Sequence, residues 1–119
     1  MTWRTADARP AVERYLARNP GLSFVARCGA QLVGCVLCGH DGRRGYLQHL
    51  AVDATYRRSG IGRQLVQHCL AKLQQLGIEK VHLDVLVDNK AAQQFWQHLG
   101  WSRRDDLQRY SWITSDANA

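Results

Sequence analysis

The sequence has no apolar run of the roughly 18–20 residues that a membrane-spanning helix requires. Its first ten residues, MTWRTADARP, contain no apolar segment typical of a secretion signal. It also has no internal repeat and no low-complexity tract. We therefore expect a cytoplasmic protein with no membrane partner. Its length predicts one domain, 1–119, of which residues 114–119 form a disordered tail.

Acidic residues are scarce, because ten Asp and Glu stand against sixteen Lys and Arg, for a formal net charge of +6. This surplus favours anionic partners, either a phosphate-bearing small molecule or nucleic acid. The basic residues do not form one block, and neither RNA-binding signatures nor stacked aromatic platforms are visible. The pattern therefore favours the small anion, and nucleic acid is the weaker alternative.

The four cysteines do not form a metal-site pattern. Cys35 and Cys38 have the spacing of half a zinc site, but no second Cys/His pair of matching spacing follows. We predict no metal, and we interpret the cysteines as small buried core residues in a reducing compartment. The full set is Cys28, Cys35, Cys38 and Cys69.

The spacing of apolar residues predicts the order of helices and strands. The predicted elements are a helix at 7–18, strands at 22–28, 31–39 and 45–52, a helix at 60–76, a strand at 80–87, a helix at 90–99, and short closing strands at 101–103 and 107–113. The first three strands make an antiparallel meander, and the connection across 46–87 predicts a right-handed crossover to a parallel strand. The predicted fold class is α+β, a mixed, mostly antiparallel sheet flanked by helices.

The stretch YRRSGIGR, residues 56–63, joins the third strand to the long helix. Glycines at 60 and 62 leave room for several main-chain N–H groups to converge on one anion. The helix N-terminus adds a partial positive charge, and Arg57, Arg58 and Arg63 add fixed charges. The stretch therefore predicts a pyrophosphate cradle, and the alternative is a glycine-rich turn with solvated arginines.

Two known phosphate-binding motifs do not fit this stretch. The G-x-x-x-x-G-K-[ST] loop is absent, and the dinucleotide fingerprint would need a third glycine where Leu65 stands.

Two ordered motifs resemble the GNAT N-acetyltransferase superfamily. Arg57, Gly60 and Gly62 fit its acetyl-CoA signature R/Q-x-x-G-x-G/A, which here follows the segment LAVD at 50–53. Downstream, DNKAA at 88–92, FW at 95–96 and LGW at 99–101 are similar to the family's N-x-x-A…FY…LGF segment. The resemblance covers residues 22–112.

That resemblance implies a GNAT-like acyl-CoA N-acyltransferase sandwich with acetyl-CoA as co-substrate. The acetyl group would move to a primary amine of a small molecule or peptide by direct attack, without a covalent enzyme intermediate. The alternatives are a CoA-binding GNAT-like module without transferase activity and, less favoured, a basic nucleic-acid-binding protein.

The resemblance also implies roles for individual residues. Main-chain groups at 50–52 would pair with the pantetheine arm, N–H groups at 58–63 would hold the pyrophosphate, and residues 89 and 96 would border the arm near the thiol. The thioester would lie in a gap where the third and fourth strands splay apart. The cofactor-binding positions are Leu50, Ala51, Val52, Arg57, Arg58, Ser59, Gly60, Ile61, Gly62, Arg63, Asn89 and Trp96.

The sequence departs from the family pattern in two places. One strand and one helix that usually come first are missing, so we expect an N-terminally short fold. It is a short variant, or a partner chain such as the second copy in a homodimer completes the pocket, or Met1 is not the ancestral start. In addition, Trp96 replaces the tyrosine that usually gives a proton to the departing thiolate.

The proton-transfer residues are predicted from their place in the strands. A base must take a proton from the amine, and His49 and Asp84 are polar residues near the expected gap. His82, on the same side of its strand as Asp84, is a lesser candidate. Tyr110, on the last strand, is the candidate replacement for the missing tyrosine. For each of them the alternative is an ordinary structural or solvent-facing side chain.

Overall fold

The structure, a computed structural model, describes residues 4–114, apart from the side chain of Thr5. The elements are α1 (Arg9–Arg18), β1 (Phe24–Cys28), β2 (Gln31–His40), β3 (Gly45–Val52), α2 (Ile61–Gln75), β4 (Val81–His82) and α3 (Lys90–His98), with 3-10 turns at Thr5–Asp7 and Ala54–Tyr56.

The chain divides into two compact units. One is Glu13–Asp84, and the other combines Met1–Val12 with Val85–Ala119. The single domain over 1–119 stays a prediction. The predicted tail lies, except for residue 114, outside the described residues. Within residues 4–114, every helix is too short or too polar to span a bilayer.

The sheet lies in the unit Glu13–Asp84 and has the order β1-β2-β3-β4. β1 and β2 are antiparallel, β2 and β3 are antiparallel, and β3 and β4 are parallel. The antiparallel meander, the parallel crossover pairing and the mixed-sheet fold class are therefore confirmed. The turn between β2 and β3 forms because the Asp41 carboxylate accepts hydrogen bonds from the N–H groups of Arg43 and Arg44, each 2.8 Å away. The bonds from Arg44 and Arg43 hold the pKa of the Asp41 carboxyl below its usual range.

Helix α2 covers one face of this sheet, and the close approach depends on Gly34. A Cβ atom at Gly34 would lie only 3.2 Å from Ile61 Cγ2 and 3.2 Å from Leu65 Cδ1. Strand β2 therefore meets the first turns of the helix without a side chain between them. The core below this contact contains Leu22, Val33, Val36, Cys38, Leu47, Leu65, Val66, Cys69, Leu73 and Ile78.

A buried asparagine ties the end of α1 to the end of β2. Asn19 is 5% exposed, its Oδ1 accepts from His40 N at 3.1 Å, and its Nδ2 donates to Tyr15 O at 3.1 Å. A buried polar side chain without such partners would destabilise the fold, so this residue both ends the helix and fixes its position over the strand.

Two sequence predictions on strands are wrong. The strand predicted at 80–87 forms only at Val81–His82, and residues 101–113, all of them described, form no strand. An alternating pattern makes a strand only where a neighbouring strand takes up its hydrogen bonds. In the segment at 101–113 the charged side chains pair locally instead. Arg103 Nε lies 2.7 Å from Asp105 Oδ1, and Arg104 binds both carboxylate oxygens of Asp106 at 3.1 Å.

The interpretation of the cysteines as core residues holds for two of the four. Cys38 and Cys69 are fully buried free thiols, Cys35 is half-buried, and Cys28 is exposed. Cys28 is the last residue of β1 and precedes the turn to β2, so its position at a strand end leaves it outside the core.

Replacing Leu73 with alanine tests the packing of α2. Leu73 is fully buried, so we expect Leu73→Ala to lower the free energy of unfolding by about 2–5 kcal/mol. Leu76, at the end of the same helix, is 56% exposed, and Leu76→Ala should change it by no more than about 0.5 kcal/mol. Urea unfolding followed by circular dichroism measures both. Equal losses from the two variants would contradict the packing described here.

Candidate functional site

Strand β3 is open along most of one edge. Its pairing with β4 is confined to Gly45 opposite Val81 and Tyr46 opposite His82. From Leu47 to Val52, no strand within residues 4–114 pairs with that edge. The two strands therefore part, as the sequence analysis expected, and leave unpaired main chain where an extended ligand could add like another strand.

The strand register decides which main-chain groups face this open edge. Asp53 N donates to Val33 O at 2.8 Å, and Ala51 stands opposite Cys35, so these residues face β2. Because successive residues of a strand point their N–H and C=O groups in opposite directions, Leu50 and Val52 face the open edge. Of the three residues expected to pair with a pantetheine arm, Ala51 therefore does not offer its main chain there.

A bulge bends β3 just before these residues. The register between β2 and β3 shifts between Cys35 and Leu37, and His49 has a φ of 54°, in the left-handed region. The carbonyl oxygen of His49 accepts a contact of 4.0 Å from the Cys35 thiol. A left-handed residue with a side chain is strained by roughly 1–2 kcal/mol, so the surrounding pairing must hold it in place. His49 is therefore a backbone feature of the site as well as a half-buried imidazole.

The connection from β3 to α2 is made of local hydrogen bonds. Asp53 Oδ1 accepts from Thr55 N at 2.9 Å, Arg57 Nε donates to Val52 O at 3.2 Å, and the Ser59 hydroxyl donates to Tyr56 O. Gly60 follows with a φ of 86° as the N-cap of α2, a conformation that glycine adopts without strain.

This connection presents a set of main-chain donors. Arg58 is also left-handed, with a φ of 64°, so the backbone turns sharply at 58 and again at Gly60. None of the N–H groups from Arg58 to Arg63 finds an acceptor within residues 4–114. A Cβ atom built on Gly60 would meet nothing within 4 Å, so the space in front of it is open. Consecutive N–H groups at a helix N-terminus form a concavity suited to an anion.

The arginines of this segment differ in what they contact. All three side chains are exposed, but the Arg57 guanidinium is engaged with the Val52 carbonyl. Arg58 and Arg63 make no ion pair or hydrogen bond with residues 4–114 through their side chains. Of the three arginines, these two therefore add exposed positive charges without a partner in residues 4–114 beside the N–H groups.

The candidate proton-transfer groups of the same unit lie on β3 and after β4. Asp84 is exposed, two residues beyond the end of β4. His82 is half-buried, and its ring centroid lies 5.9 Å from that of Tyr46, its partner across the strands. Sequence reasoning missed Tyr46. It shares a face of β3 with the exposed Gln48 and alternates with the buried Gly45 and Leu47, which could have indicated it, but the strand position alone did not mark it as functional.

Three further predicted residues belong to the other unit. Asn89 is the N-cap of α3, because its Oδ1 accepts from Ala92 N at 3.0 Å, as the sequence predicted. The Trp96 ring lies 5.1 Å from the rings of both Phe95 and Trp101, in edge contacts. Tyr110 is 88% exposed, and its hydroxyl donates to Gln108 Oε1 at 3.4 Å. Within their unit, Asn89 therefore caps helix α3, and Trp96 packs against neighbouring aromatic rings.

Comparison with known proteins gives concordant results. The family described as "Acetyltransferase (GNAT) family" matches residues 1–101. N-alpha-acetyltransferase 30 of Homo sapiens is 38% identical over 103 residues, which are 82% of this chain and 28% of that protein. N-alpha-acetyltransferase 30 of Schizosaccharomyces pombe is 36% identical over 112 residues, covering 89% of this chain and 75% of that protein. The chain thus spans less than a third of the human relative.

Among solved structures, a chain in the crystal structure of the NatC complex bound to Gag peptide and CoA is similar. It has a TM-score of 0.72 and 28% sequence identity, covering 82% of this chain and 68% of that chain.

The left-handed conformation of His49 gives a stability prediction of unusual sign. We expect His49→Gly to be more stable than His49→Ala by about 1 kcal/mol, since glycine adopts a positive φ without steric cost. At the neighbouring Gln48, which has no positive φ, the order should reverse by about 0.5–1 kcal/mol. Urea unfolding of the four variants measures both differences. The same order at both positions would mean that residue 49 is not left-handed in solution.

Proposed function

Because the chain belongs to the GNAT family of acetyltransferases, we propose that it is an N-acetyltransferase that moves the acetyl group of acetyl-CoA to a primary amine. The observation that carries this proposal is one continuous surface in a single unit. The open edge of β3 runs into the N–H groups of Arg58–Arg63 at the start of α2. An acyl-CoA has the matching order of groups, an extended amide-containing arm followed by a pyrophosphate.

The residues present fit this co-substrate. Leu50 and Val52 offer main-chain groups to an extended arm, and the concavity at 58–63 offers donors and the positive end of a helix dipole to phosphate oxygens. The side chains of Arg58 and Arg63 add charge at the rim. These contacts hold the carrier and leave its acyl end toward the bulge at His49, where the direction of β3 changes.

The proposed reaction is direct attack. The neutral amine nitrogen forms a bond to the acetyl carbonyl carbon, the carbon–sulfur bond breaks, and the amine proton ends on the base while CoA leaves as the thiolate, which then takes a proton from an acid or from water. The chain's part is to orient the two reactants and accept the proton. His49 and Asp84 remain the proposed bases, and the Tyr46–His82 pair is a further group that could relay a proton.

We propose the free amino group of a peptide N-terminus as the acceptor. The support comes from relatives, because the proteins named N-alpha-acetyltransferase 30 from Homo sapiens and Schizosaccharomyces pombe are 38% and 36% identical to this chain. The related NatC chain was solved with a peptide and CoA together. A cytoplasmic location and a homodimer stay predictions from the sequence.

One observation favours a second candidate, a CoA-binding module without turnover. Trp96, at the position where the family usually has tyrosine, is packed between two other aromatic rings, and the Tyr110 hydroxyl is bonded to Gln108. The indole N–H of Trp96 does not give up its proton at a useful pH, and the Tyr110 hydroxyl is already engaged with Gln108. A thiolate that leaves unaided would remove this objection, so turnover decides between the two candidates.

The first experiment is calorimetric titration with acetyl-CoA and with CoA, followed by a thiol-release assay on three peptides. One peptide has a free N-terminus, one has a blocked N-terminus and an internal lysine, and one has both amines blocked. Turnover with the first alone supports the proposal. CoA binding with no turnover on any peptide supports the second candidate, and no binding overturns both.

A matched pair of substitutions at Gly60 tests the pyrophosphate site. Asn and Asp both tolerate the left-handed conformation of Gly60 and have nearly the same shape, but only Asp adds a negative charge. We expect the Kd of Gly60→Asp for CoA to exceed that of Gly60→Asn more than tenfold, which corresponds to about 1.4 kcal/mol. Calorimetry on both folded variants measures the ratio. Equal affinities would show that the phosphates do not lie at this turn.

A further inference from the structure

We propose that Arg57 is a positioning residue of the CoA site, not a ligand of the pyrophosphate. Its Nε–H group binds the Val52 carbonyl and so fixes the loop that carries the N–H groups of Arg58–Arg63. The inference deepens the proposed function and rests on it for the ligand, but the contact itself lies wholly within the chain.

The side chain of Arg57 bridges the main chain from the loop back to the end of β3. Arg57 Nε donates to Val52 O at 3.2 Å, across the 3-10 turn at Ala54–Tyr56. Of the other side-chain bonds of the connection, those at Asp53 and Ser59 stay within the turn and the loop, and that of Tyr56 goes to Cys28 at the end of β1. Between residues 53 and 60, the bond from Arg57 is therefore the side-chain contact that reaches back to β3.

Arg57 directly precedes the N–H groups that form the proposed anion site, so its contact with Val52 affects how those groups are oriented. Arg57 itself has an extended backbone, with φ −66° and ψ 155°, and Arg58 immediately after it is left-handed. The direction of the N–H groups at 58–60 is set by that change of conformation. A side chain that holds residue 57 against Val52 therefore limits the rotation of the donors that follow, and a preorganised donor set binds an anion without the cost of ordering it first.

The same contact also shapes the open edge of β3. The Val52 carbonyl faces that edge, and it is already accepted by the guanidinium. An extended ligand would then pair with the N–H group of Val52 and with both main-chain groups of Leu50. Within residues 4–114 the Arg57 guanidinium makes no ion pair, but its Nε–H group is bonded to the chain, unlike the side chains of Arg58 and Arg63.

Two substitutions separate the donor from the charge. Counted along the side chain, Gln Nε2 stands at the same position as Arg Nε, so Arg57→Gln keeps a donor there and loses the charge. Arg57→Lys has a carbon atom at that position and keeps the charge. Arg57→Met is the control that loses both.

Calorimetric Kd values for CoA at several salt concentrations give the first readout. We expect Arg57→Gln to bind within about threefold of the unchanged protein, and Arg57→Lys and Arg57→Met to bind about tenfold more weakly. Because salt screens a charge in contact with the phosphates and one farther away to different extents, Arg58→Ala should reduce the slope of log Kd against log salt more than Arg57→Gln and Arg57→Met do, and Arg57→Lys should leave it unchanged. The reverse order, with lysine retaining affinity and glutamine losing it, would overturn the proposal.

Amide hydrogen exchange without any ligand gives a readout independent of CoA. Arg57→Lys and Arg57→Met should exchange the amides of Thr55 and Tyr56, which are hydrogen-bonded to Asp53 inside the connection, faster than the unchanged protein and Arg57→Gln do, while the amides of α2 keep their protection. Equal exchange in all four proteins would overturn the positioning role even if CoA binds. If the unchanged protein does not bind CoA, the proposed function fails, and the exchange pattern still decides whether Arg57 fixes the loop.

Discussion

The candidate site depends on the contact between the first turn of α2 and strand β2 at Gly34. The helix lies so close that a Cβ atom at Gly34 would be 3.2 Å from two helix side chains and 3.3 Å from the carbonyl oxygen of Ala51. This one missing side chain brings the N-terminus of α2 over the end of β3. Farther along the helix, the fully buried side chains of Cys69 and Leu73 hold the same face against the sheet. The donors at 58–63 thus lie at the start of a helix with four buried residues, which suits groups that must keep their geometry when an anion arrives.

Two strained residues mark the limits of this surface. His49 and Arg58 are the described non-glycine residues with positive φ, and they lie on either side of the segment 50–57. Each costs roughly 1–2 kcal/mol in an isolated chain. The cost is offset because β2 pairs with β3 on both sides of the bulge, and because bonds from Arg57 and Ser59 brace the loop. The positive φ of His49 bends β3, and the positive φ of Arg58 turns the chain into the concavity formed by residues 58–63.

Much of this architecture was predictable, because it follows from local signals. The heptad-like apolar spacing of α2, the Asn89 cap of α3 and the Asp41 turn each depend on residues close together in sequence. The glycines at 60 and 62 likewise predicted the loop. The wrong predictions concern strands whose existence depends on a distant partner, as at 83–87 and 101–113. The bulge at His49 was missed because no glycine marks it, and the bond from Arg57 to the Val52 carbonyl was missed because an arginine beside glycines suggests an anion ligand before it suggests a contact with the chain itself.

The glycine motif predicts the binding site for CoA better than it predicts the catalytic base, because the two depend on different kinds of groups. Main-chain N–H groups and a helix dipole are fixed by the backbone, so a pattern of glycines is enough to encode them. Removing a proton from an amine, by contrast, needs one side chain of suitable basicity within reach of the attacking nitrogen. Several positions on β3, in β4 and just after it could supply it, among them residues 46, 49, 82 and 84. A base can therefore move between these positions while the carrier site stays in place, and the sequence pattern that encodes the cradle carries no information about which position is used.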